Sequence, residues 1–495
     1  MSGIVADKKR VYEHHDASST EGSGLASRFE GAPAGWDPET AHWDSKIEKR
    51  IMRRVDWKLL PMLIAMYMVA LIDRTNMPNA LITGMGKELH FVGDRYSIAL
   101  MVFFIPYLLF ELPSNILLRK VGAAKWLGSI VICWGLVMIG MGFTKHWWEI
   151  AILRTMLGFF EAGFFPGSIY LISCWYVRYE VQQRLAIFYL LTSLASGFAP
   201  LLASGLMQMG GQANFLGWRW IFIMEGILTV LVGCAAYVFI IDFPDKVINT
   251  KHQFLTKAEV EIIKFRIDKD RKDSEVDEIA WSTVIKHLRD WKLWVYALLL
   301  MCAAMPAYAF ALFLSIILKE GMGYSTLMSQ LLSTPPVFFS VIVALPLAWY
   351  ADKTRLRAPF MAFQTITTIV GLSLTGYAIN NGVRYFGAFL GIAGAAANIP
   401  AGLAYQSNNI RTNSKRCVAS ALQIGFASIG GMIASMVFRL QDAPRYIPGI
   451  WVAIGCQFLS LVLITIMSIF FMSENRKQKE EGKVLESCEG FRYTY

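Results

Sequence analysis

Six ionisable side chains sit inside long apolar stretches of this 495-residue chain: Asp73, Arg74, Glu111, Arg154, Glu161 and Glu225. An ionisable group at the centre of a bilayer costs roughly 2.5–3.5 kcal/mol on insertion scales, so each needs a role that offsets that cost. All six lie in the first half of the chain. The later apolar stretches offer neutral hydrogen-bonding groups instead: Tyr308, Gln364, Asn398, Tyr405, Gln406 and Gln423. The first half can therefore handle charge and protons, while the second can bind through neutral polar groups. His14, His15, His42, His90, His146, His252 and His287 all fall in polar tails or loops. A proton path at membrane depth must then use carboxylates.

Arg154 and Glu161 are two helical turns apart and share one face of a helix. Asp73 and Arg74 are adjacent, with Asn76 within a turn of Asp73. If both helices face a common centre, two carboxylates and two guanidiniums meet there. Fully ionised, that set is neutral. Protonating one carboxylate leaves a net positive charge that favours an anion, and a bound anion in turn favours protonation. The expected substrate site is Arg74, Arg154 and Asn76, completed by Tyr308, Asn398 and Gln423, with Asp73 and Glu161 coupling protons. The competing reading is that Asp73–Arg154 or Arg74–Glu161 is a buried ion pair that only fixes helix packing.

Such residues need membrane-spanning helices to position them, and the composition supplies these. Hydrophobic residues make up 55% of the chain and charged residues 17%, with a mean hydropathy of +0.43. From Gly449 to Phe471 no charged residue interrupts the run. A spanning helix needs about 20 mostly apolar residues. A soluble enzyme, a nucleic-acid binder and a secreted disulfide scaffold are all excluded by this pattern. The net charge of +10 does not argue for nucleic acid, because Lys and Arg cluster beside apolar blocks, as at Lys46 to Lys58 and Arg476 to Lys483. That placement suits the anionic inner face of a membrane. The seven cysteines fall mostly inside apolar blocks without ligand spacing, so no metal site or cofactor is expected.

Apolar segments lie at about 57–80, 96–118, 124–143, 148–174, 184–207 and 219–242, and again at about 291–318, 325–350, 359–379, 383–406, 416–438 and 448–472. The expected fold is an all-α polytopic membrane protein with twelve transmembrane helices in two pseudo-symmetric six-helix halves. Its parts are a disordered cytosolic tail (1–55), a first bundle (56–243), a cytosolic central loop (244–290), a second bundle (291–472) and a cytosolic tail (473–495). In the central loop, Thr256-Lys257-Ala258-Glu259 before Val260, Ile262, Ile263 and Ile267 reads as a capping box opening an amphipathic helix. The halves repeat one another. Asp56-Trp57-Lys58-Leu59 returns as Asp290-Trp291-Lys292-Leu293, Tyr96-Ser97 as Tyr324-Ser325, and Leu112-Pro113 as Leu345-Pro346, at nearly constant offset. Two parallel halves with a site between them at mid-membrane are a secondary-transporter plan of the major facilitator type. The excess of basic residues in the tails, central loop and inner loops places both termini in the cytosol.

The loop Ala351-Asp352-Lys353-Thr354-Arg355-Leu356-Arg357 resembles the major facilitator inner-loop motif, in which an acid at a helix end and loop arginines latch the inner side. Its first-half counterpart, Pro113 to Gly122, carries Asn115 where that motif usually has aspartate, followed by Arg119. Asp352, Arg355, Arg357, Asn115 and Arg119 are thus the expected gating residues, with a charged latch only in the second half. Gly163-xxx-Gly167, Ser193-xxx-Gly197 and Gly391-xx-Gly394 read as close helix contacts.

Several segments together resemble the fungal allantoate permease family, within the anion:cation symporters of the major facilitator superfamily. They are Asp73-Arg74-Thr75-Asn76, Phe110-Glu111-Leu112-Pro113-Ser114-Asn115, Arg154 to Gly163 with Pro166-Gly167, and Gly217-Trp218-Arg219-Trp220 with Glu225-Gly226. Arg384-Tyr385-Phe386, Pro444-Arg445-Tyr446-Ile447 and Phe491-Arg492-Tyr493-Thr494-Tyr495 look more like its nicotinic acid permease branch. The resemblance implies proton-driven movement of small organic anions such as nicotinate, pantothenate or allantoate. It also implies that Asp73, Arg74, Arg154 and Glu161 serve coupling and binding. The expectation is a monomeric plasma-membrane symporter whose partners are a small organic anion, protons and the bilayer, with no enzymatic activity. An exporter of an acidic secondary metabolite and a non-transporting nutrient sensor are the alternatives.

Overall fold

Hydrocarbon offers no partner for backbone N–H and C=O groups, so apolar segments of this length must satisfy them internally as helices. The computed structural model describes residues 45–244, 246–247, 254–272, 281–354, 356–410, 413–481 and 491–495, and it is helical throughout its apolar stretches. Among the described residues, eleven helical stretches are long and apolar enough to cross a membrane. The pair Arg95–Glu111 and Pro113–Val121, bent by 54°, makes a twelfth. Pro113 follows that break, and a proline ring removes a helical hydrogen bond and crowds the preceding turn.

The first half comprises α1 (Ser45–Ala80), α2 (Arg95–Val121), α3 (Ala123–Met141), α4 (Trp147–Glu161) continued by α5 (Phe164–Trp175), α6 (Arg178–Ser196) continued by α7 (Ala199–Leu206), and α8 (Gly217–Phe239). Two short helices follow, α9 (Lys257–Lys272) and α10 (Trp281–Leu288). The second half is α11 (Trp291–Ile316), α12 (Thr326–Thr354), α13 (Ala358–Tyr377), α14 (Asn381–Asn409), α15 (Asn413–Val437) and α16 (Ile447–Glu481).

Two features differ from the tail boundaries expected from composition. Residues 45–55 are helical, and Ile51, Met52 and Val55 are buried. Their three- and four-residue spacing makes an apolar stripe that joins the cluster containing Val260 and Ile263 of α9. The Gly-rich stretch expected to be disordered lies outside the described residues. In the closing residues, Tyr493 is buried and its ring stacks on Phe471 at 4.4 Å. Asn409 Nδ2 donates to the Thr494 carbonyl at 3.0 Å, and its Oδ1 accepts from Thr494 N–H at 2.7 Å. Asn475 makes the same reciprocal pair with the backbone of Tyr493. Phe491–Tyr495 therefore straps the ends of α14 and α16 together.

Helix α9 begins with Thr256 and Glu259 exchanging hydrogen bonds with each other's backbone N–H groups. Arg266 then pairs with Glu48 at 2.6 Å and with Glu180, while Arg54 pairs with Glu259 at 2.9 Å. The central helix is fastened to the first half by charge as well as by its apolar face.

The halves meet along α1–α11, α2–α15 and α6/α7–α12. At the end opposite the termini, Ser315 donates to Asn79 Oδ1 at 3.1 Å, and Lys319 Nζ donates to the Ile82 carbonyl at 2.6 Å. Both residues at that last contact lie in π-helical turns, Leu81–Met85 and Ile317–Gly321, which end the first helix of each half. A π-turn displaces the regular i→i−4 bonding and leaves carbonyls for other donors. Gly84 takes a φ of +118° there, a conformation open to glycine without strain.

Candidate functional site

The site begins with a close helix crossing. A Cβ on Gly158 would lie 2.1 Å from the Phe103 carbonyl oxygen, so α4 touches the backbone of α2 at that point. Arg154 and Glu161 lie one turn to either side of Gly158, on the same face. Both are buried, each 2% exposed. The crossing therefore drives a guanidinium and a carboxylate against α2 and its aromatic residues.

Arg74 of α1 meets them there. Its Nε donates to Glu161 Oε1 at 2.5 Å, forming an ion pair between α1 and α4. The Arg74 guanidinium lies 5.1 Å from the Tyr107 ring centre and 5.7 Å from that of Phe103. Arg154 lies 5.3 Å from the same Phe103 ring. One phenyl ring thus serves two cations through its electron-rich faces. Arg154 Nε is buried and has no hydrogen-bond partner among the described residues. Tyr67, Tyr107 and, from the second half, Tyr308 are within electrostatic reach of Arg74. Tyr308 packs edge-on against Phe104 of α2 at 5.2 Å, which puts it at the seam between the halves.

Among the described residues, Asp73 does not join this set by an ion pair. Its Oδ2 accepts from Trp134 Nε1 and Thr229 Oγ1, both at 3.2 Å, on α3 and α8. Adjacent residues on a helix point about 100° apart, so Arg74 faces the seam while Asp73 faces the interior of its own half. Asn76 follows Asp73, donating to Glu225 of α8. The expected meeting of two carboxylates and two guanidiniums is met in part: Glu161, Arg74 and Arg154 gather at the seam, while Asp73 and Asn76 make their hydrogen bonds toward α3 and α8, with Asp73 still within electrostatic reach of Glu161 and Arg154.

The second-half residues divide similarly. Asn398 donates to Thr365 Oγ1 at 3.0 Å. Gln423 donates to the Tyr296 carbonyl at 3.1 Å and reaches that of Gly402 at 3.4 Å. The amide nitrogens are thus committed to neighbouring backbone and side chains of their own half, while Asn398 Oδ1 and Gln423 Oε1 are buried without a hydrogen-bond partner among the described residues. Of the three neutral residues expected to complete the site, Tyr308 is the one brought to the seam.

Of the residues expected to gate, Asp352 pairs with Arg357, and Lys353 lies over the Trp349 ring at 4.9 Å. Arg357 N–H also donates to the Tyr495 carbonyl at 3.2 Å, so the closing strap holds this ion pair as well. Arg355 lies outside the described residues. Asn115 Oδ1 is buried without a partner among the described residues, and Arg119 lies over the Phe243 ring at 4.9 Å. The small-residue positions are close contacts: an added Cβ would lie 1.6 Å from Ser114 Oγ at Gly163 and 2.4 Å from the Gln364 carbonyl oxygen at Gly394.

Sequence reading missed the aromatic wall. Phe103 and Tyr107 are four apart on one face of α2, a spacing that could have marked it, but aromatic residues in an apolar span do not stand out as charges do. It also found Glu225 without assigning it a partner.

Residues 63–435 match the Major Facilitator Superfamily. An uncharacterized transporter of Schizosaccharomyces pombe is 31% identical over 441 residues, covering 88% of this chain and 85% of its own. The high-affinity nicotinic acid transporter of Saccharomyces cerevisiae is 27% identical over 479 residues, covering 96% and 87%. Among solved structures, a bacterial homologue of the human lysosomal transporter Spinster, in an inward-facing unoccupied conformation, superposes with a TM-score of 0.64 at 13% identity, covering 85% of this chain and 97% of that one. A D-xylose-proton symporter gives a TM-score of 0.60 at 13% identity, covering 81% and 96%. With two helical halves meeting at a polar seam, and with these likenesses over most of its length, the chain belongs to the Major Facilitator Superfamily: it is a multi-pass membrane transporter of a small molecule, not an enzyme.

Proposed function

We propose that this transporter is a proton-coupled symporter of a small organic anion, a member of the allantoate permease group, with nicotinate the first substrate to test. The observation that carries the reading is the cluster at the seam: two guanidiniums, Arg74 and Arg154, both within reach of the Phe103 ring, with one carboxylate, Glu161. The cluster has one surplus positive charge and, at Arg154 Nε, a buried donor with nothing to bind. A buried donor left unpaired is costly, and a guanidinium matches a carboxylate with two parallel hydrogen bonds.

Coupling follows from competition. An incoming carboxylate satisfies Arg154 and draws Arg74 away from Glu161. A carboxylate so released, in a buried place, takes up a proton. Anion and proton therefore enter the same state, and neither is stable there alone. The hydrogen bonds at Asn79–Ser315 and Ile82–Lys319 close the seam at the end away from the termini. With both termini in the cytosol of a plasma-membrane monomer, that closed end faces outward and the site opens inward. The printed name of the yeast nicotinic acid relative supports the substrate class.

The test is competition in purified protein reconstituted in liposomes with labelled nicotinate outside and an inward proton gradient. Unlabelled nicotinate and other small carboxylates should inhibit, and neutral nicotinamide should not. Arg154→Lys keeps the charge and loses the fork, and should raise the apparent KM about tenfold or more, the order of one strong charge-assisted hydrogen bond. Equal inhibition by nicotinamide would overturn the reading.

A further inference from the structure

Glu225 lies in the interior of the first half, 2% exposed, and no cation pairs with it among the described residues. Its surroundings are built as a ladder between α1 and α8. Asn76 of α1 donates to Glu225 Oε2. One turn earlier on α1, Asp73 Oδ2 accepts from Thr229 Oγ1, which lies one turn after Glu225 on α8. The helices run antiparallel, so the rungs 73–229 and 76–225 set the two carboxyls diagonally across the seam. Trp134 supplies Asp73 with one more neutral donor. Asp73 Oδ1 and Glu225 Oε1 are both buried and both without a partner. The charged groups facing Asp73 are Glu225, Glu161 and, more remotely, Arg154. Facing Glu225, the neighbouring acid is Asp73.

Two buried carboxyls on successive rungs of the α1–α8 ladder, fed only by neutral donors, are costly to keep ionised together away from water. Each has one free oxygen to carry a proton. Resting on the symport reading above, we infer that Glu225 is a second proton-binding residue of the transport cycle, sharing a proton with Asp73 on the α1–α8 seam. The pair senses the substrate site through Glu161: when Glu161 leaves Arg74 and is neutralised, one negative charge facing Asp73 disappears. Losing that charge favours ionisation of Asp73, so the pair holds its proton more tightly in the empty state than in the loaded one and gives it up after loading. Only O–H bonds form and break, the proton coming from the acidic side and leaving to the other. Transport should then depend on two protons, one at Glu161 and one at the Asp73–Glu225 pair.

Two measurements on the full chain test this. In liposomes, initial uptake of labelled nicotinate by wild type should rise with close to second-order dependence on external proton concentration. Glu225→Gln, which is isosteric and keeps a partner for Asn76, should reduce that to first order while nicotinate exchange at equal pH persists. Second-order dependence surviving in Glu225→Gln overturns the inference and leaves the symport reading intact. If wild type shows no acid-driven uptake, the symport reading fails and infrared spectroscopy decides the pair. The carboxylic-acid carbonyl band assigned through Asp73→Asn should move its titration midpoint by about one pH unit or more in Glu225→Gln, because coupled carboxyls titrate as a pair. An Asp73 band that titrates identically with and without Glu225 overturns the sharing. Should Glu225→Gln not fold, Thr229→Val keeps both carboxyls and should disturb both bands; a change confined to Asp73 overturns it equally.

Discussion

Arg74 Nε and Glu161 Oε1, 2.5 Å apart, join the first and fourth spanning helices at the place where Gly158 brings α4 onto the backbone of α2. Breaking a buried pair by removing one partner leaves an uncompensated charge. The pair can therefore open only when something else takes up one of its members, which is what a substrate anion and a proton together do.

The crossing itself can be tested. Gly158→Ala places a methyl into the Phe103 carbonyl and should destabilise the protein by about 1–3 kcal/mol, the usual range for overpacking. Nicotinate uptake should fall with it as Arg154 and Glu161 are displaced. Gly205→Ala is the control, because nothing lies within 4 Å of its Cβ position. Thermal unfolding in detergent at matched composition reads both, and equal melting temperatures for the two variants would mean the crossing does not hold the site.

The latch gives a second prediction. Asp352 pairs with Arg357, whereas Asn115 in the first half has only a neutral side chain. Exposed pairs contribute only about 0.2–1 kcal/mol, but Arg357 is 9% exposed and is also held by Tyr495. Asp352→Asn should slow turnover more than Asn115→Ala, with substrate preference unchanged. Labelling of introduced cysteines from the side bearing the termini, measured alongside uptake, distinguishes them. Equal effects would mean that both halves share the gating load.

How far these residues could be read from the sequence depends on how loudly each speaks. Charges in apolar segments are conspicuous, so Arg74, Arg154, Glu161 and Glu225 were legible at once, as were two six-helix halves from segment lengths and the repeated tetrads. Which way each residue points was not. Asp73 and Arg74 are neighbours in sequence but face different helices, because α1 is buried on more than one side. Gln423 and Asn398 read as binding groups because they are polar at membrane depth, and only the structure shows that backbone carbonyls and Thr365 take up their amide nitrogens and leave their oxygens unpartnered among the described residues. The helical start at Ser45 was hidden because its apolar stripe is narrow within a polar composition. The strap at Phe491–Tyr495 could not be inferred, since its stability rests on Asn409 and Asn475 meeting backbone far away in the chain.

That strap makes a third prediction. Tyr493 stacks on Phe471, and Lys292 Nζ donates to its hydroxyl at 3.1 Å. Tyr493→Ala removes a buried aromatic side chain and should cost about 3–5 kcal/mol if the site does not collapse. Tyr493→Phe keeps the stack and should cost only about 1 kcal/mol, the net worth of one hydrogen bond. Melting curves of the two variants separate packing from bonding, and equal losses would show that the hydroxyl carries the strap.

At the same end of the bundle, Asp290 caps α11 and accepts from Lys415 Nζ at 2.8 Å. Burial alone would push its carboxyl up, but Lys415 and Lys292 outweigh this and hold it below the usual carboxylate range. A carboxyl depressed in the folded state stabilises fully above its unfolded value, near 4, and loses that contribution as pH falls through the folded value. Asp290→Asn should therefore flatten the acid limb of the melting-temperature profile below about pH 4 and lower stability at neutral pH. An unchanged acid limb would show that the ion pair contributes nothing.

The central claim is that Glu161 exchanges Arg74 for a proton as the anion binds. The most direct measurement compares wild type with Glu161→Gln in liposomes loaded with labelled nicotinate and placed under an inward pH gradient. Wild type should concentrate nicotinate above its equilibrium level. Glu161→Gln should still exchange labelled for unlabelled nicotinate but concentrate it far less than wild type, because its amide cannot carry the proton and at most the proton of the Asp73–Glu225 pair remains to drive uptake. Accumulation by Glu161→Gln matching wild type at acid external pH would contradict the account.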